Sequence, residues 1–442
     1  MSGTTIGLIG FCCLLAMLAI RVHISIAMFI TGAGVYLVIN HGESAGLLYT
    51  LNNLVYARVS NYDLAVIPLF ILMGQFATHG GLSKALFRAA GTLIGHWRGG
   101  LAMAATAACA AFGAICGSSL ATAATMGQVA LPELRSHGYS GRLATATLAA
   151  SGTLGILIPP SVPLVIYAVL TQESIGKLFV AAVVPGIIAA LGYLLVIGLI
   201  VRQDAKAGPA AEKVPFAEMI RAQVRIIPVL MVFLVVIVGI YDGWANPTEA
   251  ASIGAAACGV IALLSGGLRL RGFLDSIYGT AHATGMIFMV LIGADLLNSS
   301  LALSQMPTEL AAWVRDSGLP PLLVLASILL IYILLGCVMD SLAMILLTIP
   351  IFYPMVMGLD FFGMSVEDKS VWFGILALMV VEIGLVHPPV GMNLYVINKL
   401  AKDVPMKDTA FGVMPFLASD FLRIVGLVFF PGLCLGLVHV LG

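Results

Sequence analysis

Apolar residues follow one another along this chain in stretches of about 20, separated by short polar connections. A helix of that length crosses the hydrocarbon core of a bilayer. In a chain of 442 residues this pattern predicts roughly ten membrane-crossing segments and no sizeable soluble domain. The predicted full spans outside the repeated motifs are 5–20, 24–40, 63–78, 178–201, 226–241, 248–266, 280–299 and 409–438.

Two short sequence patterns occur once in each half of the chain. The sequence SSLA at 118–121 is similar to DSLA at 340–343, and in both a proline lies 13 residues after the second position. Further along, GILIPP at 155–160 is similar to GLVHPP at 384–389. The same order and near-equal spacing predict an internal repeat, in which each half has an interfacial helix, an apolar hairpin, a polar loop and a broken helix.

The repeat predicts an all-α polytopic membrane protein. A re-entrant helical hairpin and a broken transmembrane helix are expected in each half. The predicted boundaries are 1–201 for the first repeat, with a hairpin at about 100–135 and a broken helix at about 144–170; 202–225 for a cytoplasmic linker; and 226–442 for the second repeat, with a hairpin at about 320–357 and a broken helix at about 373–398.

Lysine and arginine are distributed unevenly between two sets of connections, sixteen in one set and four in the other. The positive-inside rule makes the richer set cytoplasmic. The first hairpin then opens to the cytoplasm and the second enters from outside, so the two halves are inverted, an arrangement typical of secondary transporters. The richer set holds Arg21, Lys84, Arg88, Arg98, Arg135, Arg142, Arg202, Lys206, Lys213, Arg221, Arg225, Arg269, Arg271, Lys399, Lys402 and Lys407, and the other, which includes 40–62, holds Arg58, Lys177, Arg315 and Lys369.

The same orientation places the amphipathic segment 79–98 along the cytoplasmic surface and the segment 304–317 along the outer surface. The first apolar stretch has no basic residue before it and no small-residue cleavage site, which favours a retained first helix. Its N-terminus is expected outside, because Arg21 follows the stretch.

Composition agrees with a membrane protein. Apolar residues make up 60% of the chain and charged residues only 10%, and the mean hydropathy is +1.08. The net charge of zero gives no basic surface for nucleic acid. The seven cysteines lie in apolar stretches without a metal-binding spacing, so we expect them to pack in the interior.

The first hairpin is predicted to expose a polar tip at membrane depth. The stretch around it is rich in small residues, which favours close backbone packing inside the bundle. Gly117 permits a sharp turn, and Ser118 or Ser119 can cap the returning helix. The N-terminus of that helix carries a partial positive charge, which suits a carboxylate.

The broken helices supply complementary chemistry, because their prolines leave upstream carbonyls without hydrogen-bond partners. Such carbonyls facing a polar tip form an oxygen cage suited to Na⁺. We therefore predict two pseudo-symmetric cation sites with the solute between the tips. The candidate cation ligands are Ser118, Ser119, Gly155, Ile158, Pro160, Ser341, Gly384, His387 and Pro389, and the candidate solute-binding residues are Thr122, Thr125, Ser161 and Asn393. Asp340, at the second tip, is a further candidate site residue.

These features also have structural interpretations. A Pro-Pro pair sometimes only bends a helix, and membrane serines often bond to a carbonyl one turn back. Asp295 and Glu382 are intramembrane acids that would serve either as site residues or as structural partners. His387 is either a proton carrier or a capped buried histidine. Neutral oxygen cages favour Na⁺, while Asp340, Glu382 and His387 leave proton coupling open.

Long motifs give the chain a close resemblance to the large membrane (M) subunit of TRAP transporters, the tripartite ATP-independent periplasmic family. The resemblance covers essentially the whole chain. The motifs that carry it are IPLFILMG at 67–74, GSSLATAAT at 117–125, SGTLGILIPPSVPLVIYAVLT at 151–171, DSLAMIL at 340–346 and HPPVGMNLYVI at 387–397.

The resemblance implies an elevator mechanism in a multi-pass protein of the bacterial inner membrane. It also implies uptake of a carboxylate-bearing solute, with Na⁺ as the coupling ion and no other cofactor. The implied partners are a small four-helix membrane subunit on a separate polypeptide and a periplasmic substrate-binding protein, which largely sets the identity of the solute. By resemblance, Ser118, Ser119, Gly155 and Pro160 belong to the first cation site, Ser341, Gly384 and Pro389 to the second, and Asp340 lies beside the solute.

Two other functions compete with this one. A stand-alone Na⁺- or H⁺-coupled dicarboxylate symporter of related fold fits the inverted halves, the polar tips and the broken helices equally well. An intramembrane enzyme using Ser119 or His387 does not fit, because no serine–histidine or serine–lysine pair has a recognisable spacing. Such an enzyme would also have no need for inverted, duplicated hairpins.

Overall fold

The structure, a computed structural model, describes residues 2–20, 22–265, 267–337 and 339–441. All regular secondary structure in these ranges is helical. Arg21, one of the basic residues assigned to the cytoplasmic connections, lies outside the described residues. The helices of the first half are α1 (Gly3–Ala19), α2 (Ile24–Ile39), α3 (Ala45–Val59), α4 (Val66–His79), α5 (Leu82–Ile94), α6 (Gly100–Cys116), α7 (Ser119–Ser136), α8 (Gly141–Gly152), α9 (Leu154–Leu157), α10 (Val162–Thr171) and α11 (Ile175–Gln203).

The second half repeats much of this order. A long helix pair and a further long helix precede a short surface helix, a helical hairpin and a helix interrupted by a proline pair. Its helices are α12 (Phe216–Tyr241), α13 (Pro247–Leu264), α14 (Leu270–Leu303), α15 (Met306–Asp316), α16 (Pro321–Gly336), α17 (Ser341–Met357), α18 (Val366–Val386), α19 (Met392–Leu400), α20 (Met406–Phe429) and α21 (Gly432–Leu441).

Three sequence predictions differ from these bounds. The predicted outer connection 40–62 contains the helix α3. This helix has 15 residues and mixes apolar with polar side chains, so its sequence does not predict a span. The irregular linker is only 204–215, not 202–225, because α12 begins at Phe216 with an amphipathic turn. The predicted single span 409–438 is divided at Pro431, which lacks the N–H needed to continue α20.

Six of the described helices are long and apolar enough to cross a bilayer, and two bent helix pairs raise the number to eight. These pairs are α3 with α4, bent by 57°, and α8–α9 with α10, bent by 41°. The arms of both hairpins are shorter, at 16 to 18 residues. The predicted spans 5–20 and 24–40 correspond to α1 and α2, which are apolar helices of 17 and 16 residues.

The helices pack in two groups. In the first group α2 packs on α14, and α4 packs on both α13 and α14. In the second group α7 and α20 pack on α8, α16 and α17 pack on α18, and α10 packs on α17. The surface helices α5 and α15 connect the groups, since α5 contacts α6 and α12 while α15 contacts α17 and α1. The groups also meet directly where α4 contacts α6 and α14 contacts α17.

The second group has a fully buried centre. The whole apolar stretch of α18 is enclosed by other helices, so it makes no contact with lipid. A buried ion pair lies nearby on α20, where Arg423 Nη2 is 2.9 Å from Asp420 Oδ1. The hydroxyl of Tyr193 on α11 donates to Asp420 Oδ2 at 2.9 Å and contacts Thr153 Oγ1 at 3.2 Å. This chain of contacts ties α11 and α20 to the end of α8.

A second ion pair joins the two halves of the chain. Arg135, near the end of α7, pairs with Asp403 in the loop after α19 at 2.5 Å. The hydrogen bond from Arg135 lowers the pKa of the exposed Asp403 carboxyl below its usual value. The same arginine donates to the carbonyl of Tyr139 at 2.9 Å. Hairpin α6–α7 is therefore attached to the region that follows the second broken helix.

Candidate functional site

The tip of the hairpin α6–α7 is built from backbone contacts that only small residues allow. Gly117 ends α6 in the left-handed region at φ +63°, and the Ser118 hydroxyl accepts a hydrogen bond from the N–H of Ala121 at 3.4 Å. One turn earlier, a Cβ on Gly113 would overlap the backbone of Gly155. Helix α6 therefore touches α9 backbone to backbone, just before the first break.

The tip of the hairpin α16–α17 has the same local arrangement. Asp340 Oδ2 accepts a hydrogen bond from the N–H of Ala343 at 3.3 Å and caps α17. A Cβ on Gly336 would lie 2.8 Å from the Cα of Gly384, so α16 touches α18 just before the second break. The caps differ in charge, because the first tip has a neutral hydroxyl and the second a carboxyl group.

Both breaks contain extended backbone at a proline pair. In the first, Ile158 and Ser161 are extended on either side of the cis bond between Pro159 and Pro160. The Pro160 carbonyl oxygen lies 3.3 Å from where a Cβ on Gly117 would be, so this break lies directly against the first tip.

In the second break His387 is extended, the bond between Pro388 and Pro389 is also cis, and Gly391 precedes α19 at φ +52°. The thiol of Cys337, at the end of α16, lies 3.7 Å from the carbonyl oxygen of His387. This contact holds the start of the second break against the second hairpin.

The two tips line one cavity of about 550 Å³. Five of the predicted site residues are in its wall: Ser118, Ser119, Thr125, Asp340 and Ser341. The opposite wall belongs to the first helix group, through α4 and α14. Asp340 is the one charged residue among the described residues that line the cavity.

Four more predicted residues lie directly behind the first tip. A Cβ on Gly155 would be 2.5 Å from Thr122 Oγ1 and 3.1 Å from the Ser118 carbonyl oxygen, so these two oxygens face the Gly155 backbone together. Ser161 is fully buried. Asn393, on α19, is fully buried too, and its side-chain amide donates to the Ala149 carbonyl at 3.4 Å. The two broken helices therefore meet at this point.

The remaining predicted ligands lie away from the cavity. The Ile158 side chain packs against Gly186 on α11. Gly384 packs against the end of α16, His387 is half-buried beside Cys337, and Pro389 is exposed. The first site is thus compact, whereas the predicted second ligand set is divided between the cavity and the protein surface.

None of the site residues predicted from the sequence lies in the opposite wall of the cavity. On α4 this wall is formed by Ile71, Gly74, Gln75 and Thr78, which lie three to four positions apart and so share one helix face. Gln75 and Thr78 are polar residues within an apolar stretch, and that spacing is the signal in the sequence. On α14 the wall is formed by the segment 283–287, which has no polar residue at its cavity-lining positions to mark it.

Several buried oxygens around the tips have no hydrogen-bond partner among the described residues. They are Thr122 Oγ1, Ser161 Oγ, Glu382 Oε2 and Asn393 Oδ1. A buried polar atom without a partner costs free energy, and an oxygen-only donor set suits a hard cation such as Na⁺. In the described part of the chain there is no cluster of three His, Cys, Asp or Glu residues of the kind that holds a transition metal. The residues present therefore fit Na⁺.

The two intramembrane acids left open by the sequence have different surroundings. Asp295 on α14 forms a bidentate ion pair with Arg58 on α3, with the second contact at 2.6 Å, and so joins helices of the first group. Glu382 on α18 accepts a hydrogen bond from the Ser341 hydroxyl at 2.9 Å. Asp295 is thus a structural partner, whereas Glu382 belongs to the region of the tips.

Residues 11–433 match the family described as tripartite ATP-independent periplasmic transporter, DctM component. The chain is 34% identical to the C4-dicarboxylate TRAP transporter large permease protein DctM of Pseudomonas aeruginosa, over 86% of this chain and 87% of that protein. It is 29% identical to the sialic acid TRAP transporter large permease protein SiaM of Vibrio cholerae, over 88% and 89% of the two chains. Its fold is similar to the crystal structure of the Alcanivorax borkumensis YdaH transporter, described as having an unusual topology, with a TM-score of 0.62, 15% identity and coverage of 88% and 90%.

Proposed function

Since this chain belongs to the DctM component family, the large permeases of tripartite ATP-independent periplasmic transporters, we propose that it couples Na⁺ entry to the uptake of an organic acid. It is a multi-pass protein of the bacterial inner membrane and a transporter component, not an enzyme. The observation that carries the proposal is the single cavity lined by both polar hairpin tips.

The first tip is the better site for the carboxylate of the solute. Helix α7 begins there with a neutral serine cap, so the partial positive charge of the helix N-terminus is not cancelled. At the second tip the Asp340 carboxyl occupies the corresponding position and disfavours a second anion. Thr122, Ser161 and the carbonyl of Ser118 would hold Na⁺ behind the first tip, where the bound ion supplies positive charge beside the carboxylate.

We propose that the second helix group moves as an elevator against the first. The support is the position of the cavity between the groups, with both tips on one wall and α4 and α14 on the other. A rigid-body shift of the second group would carry the tips and their cargo together. The matched hairpins and broken helices support two inverted-topology repeats as the origin of this arrangement.

The proposed partners follow from family membership. A small four-helix membrane subunit would accompany the chain, and a periplasmic substrate-binding protein would deliver the solute. The relatives named for C4-dicarboxylates and for sialic acid make an acidic organic solute the common class. Two solutes are tested side by side. One is a C4-dicarboxylate, because the relative with 34% identity is named for this class; the other is a monocarboxylate of similar size, because Asp340 disfavours a second anion.

The test is uptake of a labelled organic acid by liposomes that contain the chain and its small subunit. The binding protein encoded by a neighbouring reading frame is added outside, and an inward Na⁺ gradient is imposed. We expect uptake to require both the gradient and the binding protein. Uptake that needs Na⁺ but no binding protein would instead establish the stand-alone symporter, and uptake driven only by a proton gradient would refute Na⁺ coupling.

A further inference from the structure

Glu382 is an acidic side chain in the centre of the second helix group. It lies on α18, whose apolar stretch is wholly enclosed, and it is 1% exposed. A buried carboxylate carries a large desolvation cost unless a positive charge or several hydrogen bonds offset it. The surroundings of Glu382 therefore have to supply such a partner.

The described side chains around Glu382 supply only part of this compensation. The Ser341 hydroxyl at the second tip donates to Oε1 at 2.9 Å, while Oε2 has no hydrogen-bond partner within the described ranges. The hydroxyl of Ser119 at the first tip also lies close to the carboxyl group. Among the ion pairs formed by described residues, none includes Glu382.

The carboxyl group thus lies between two tips that belong to opposite halves of the chain. Ser341 begins α17 and Ser119 begins α7, and both line the cavity. Two hydroxyl oxygens and one carboxylate oxygen are hard ligands of the kind that bind an alkali cation. A cation at Oε2 would give this oxygen a partner and would also offset the buried negative charge.

We propose that Glu382 is the anionic ligand of a bound Na⁺ and joins the tip residues Ser119 and Ser341 in one site. The inference rests on the Na⁺ coupling proposed above and adds a ligand that neither repeated motif contains. This ion lies between the two tips and is distinct from the ion that Thr122, Ser161 and the Ser118 carbonyl would hold behind the first tip. The bound ion then holds both tips against α18.

The test is a Na⁺ titration of the thermal stability of the purified full-length chain in lipid nanodiscs, with K⁺ at equal ionic strength as the reference. Glu382→Gln keeps the shape and the hydrogen bond from Ser341 but removes the charge. We expect the half-saturating Na⁺ concentration to rise by about tenfold or more, because an attraction between opposite charges shielded from water is lost. Glu382→Asp retains the charge and is expected to recover part of the affinity.

Asp295→Asn is the matched control, since Asp295 is another buried membrane acid but pairs with Arg58 in the first helix group. It is expected to lower stability without changing the half-saturating Na⁺ concentration. Equal Na⁺ responses in the wild type and in Glu382→Gln would overturn the inference while leaving Na⁺ coupling intact. Should Glu382→Gln fail to fold, an unchanged Na⁺ affinity in Glu382→Asp and in Ser341→Ala would overturn it. A wild type that responds equally to Na⁺ and K⁺ would refute the proposed Na⁺ coupling itself.

Discussion

Replacing Gly155 by alanine should block the first cation site with a single methyl group. The Cβ would lie 2.5 Å from Thr122 Oγ1 and 3.1 Å from the Ser118 carbonyl oxygen, whereas ordinary contact begins at 3.4 Å. The φ angle of Gly155 is not in the left-handed region, so alanine can adopt this backbone conformation. The effect of the substitution therefore comes from the occupied space.

The magnitude follows from how far Thr122 has to move. Its hydroxyl must shift by about 0.9 Å to reach ordinary contact, and it is fully buried and β-branched. Overpacking of this kind costs about 1–3 kcal/mol. If Thr122 rotates away in the ion-free protein, ion binding has to restore it, and the cost appears as a roughly 5- to 150-fold lower Na⁺ affinity.

The assay is the Na⁺ dependence of thermal stability, with uptake by liposomes as a second measurement. Gly426→Ala is the control, because a Cβ at that position on α20 would meet no atom within 4 Å. We expect Gly426→Ala to bind Na⁺ like the wild type, since alanine is tolerated well inside a helix. Gly155→Ala with wild-type Na⁺ affinity and wild-type uptake would refute the assignment of Thr122 and Ser118 to the cation site.

Three further predictions concern packing and selectivity. Asp420→Asn should lower the free energy of unfolding by about 3–5 kcal/mol, because it leaves the buried Arg423 without its counter-charge. A change below about 1 kcal/mol in a melting experiment would contradict the buried ion pair. Arg58→Ala should also lower the free energy of unfolding, because the largely buried Asp295 is left unpaired, and adding Asp295→Asn should restore part of that loss. A double-mutant cycle measures the coupling, and strict additivity of the two changes would argue against the pair. In the presence of Na⁺, the purified chain should bind a monocarboxylate with an apolar body more tightly than a dicarboxylate of equal length. The reason is that Asp340 is the one charged residue among the described residues that line the cavity. The reverse order of affinity in a competition assay would show that a second carboxylate finds a positive partner.

The sequence predicted the elements that have a strong local signal. The repeated SSLA and DSLA patterns marked the starts of α7 and α17, and the paired prolines marked both breaks. The class of membrane protein followed from the apolar stretches, and family membership is confirmed by the match over residues 11–433. These features are local, so a single sequence contains them.

Contacts between helices that are distant in the chain could not be predicted from the sequence. The sequence could not show that α4 and α14 form the opposite wall of the cavity, since a helix face acquires its partner only in the folded chain. It also treated the two breaks as equivalent, although Pro160 is buried against the first tip while Pro389 is exposed. The helix α3 was missed because its composition resembles that of a connection.

The role of Glu382 depends on the same kind of information. In the sequence it is one acid in an apolar stretch, with nothing nearby to separate a site residue from a structural partner. Only the fold brings it to Ser341, which is 41 positions away in the chain.

The most direct test of the account is whether the cavity at the two tips changes the side of the membrane to which it opens. Ala121 lines the cavity at the first tip and is half-buried, so Ala121→Cys supplies a probe in a variant whose seven native cysteines are replaced by alanine. An impermeant thiol reagent is applied to either face of oriented vesicles, with and without Na⁺ and solute. We predict that Na⁺ and solute together change the face from which the probe reacts. Reaction from the same face at the same rate under all conditions would contradict a moving site between the two helix groups.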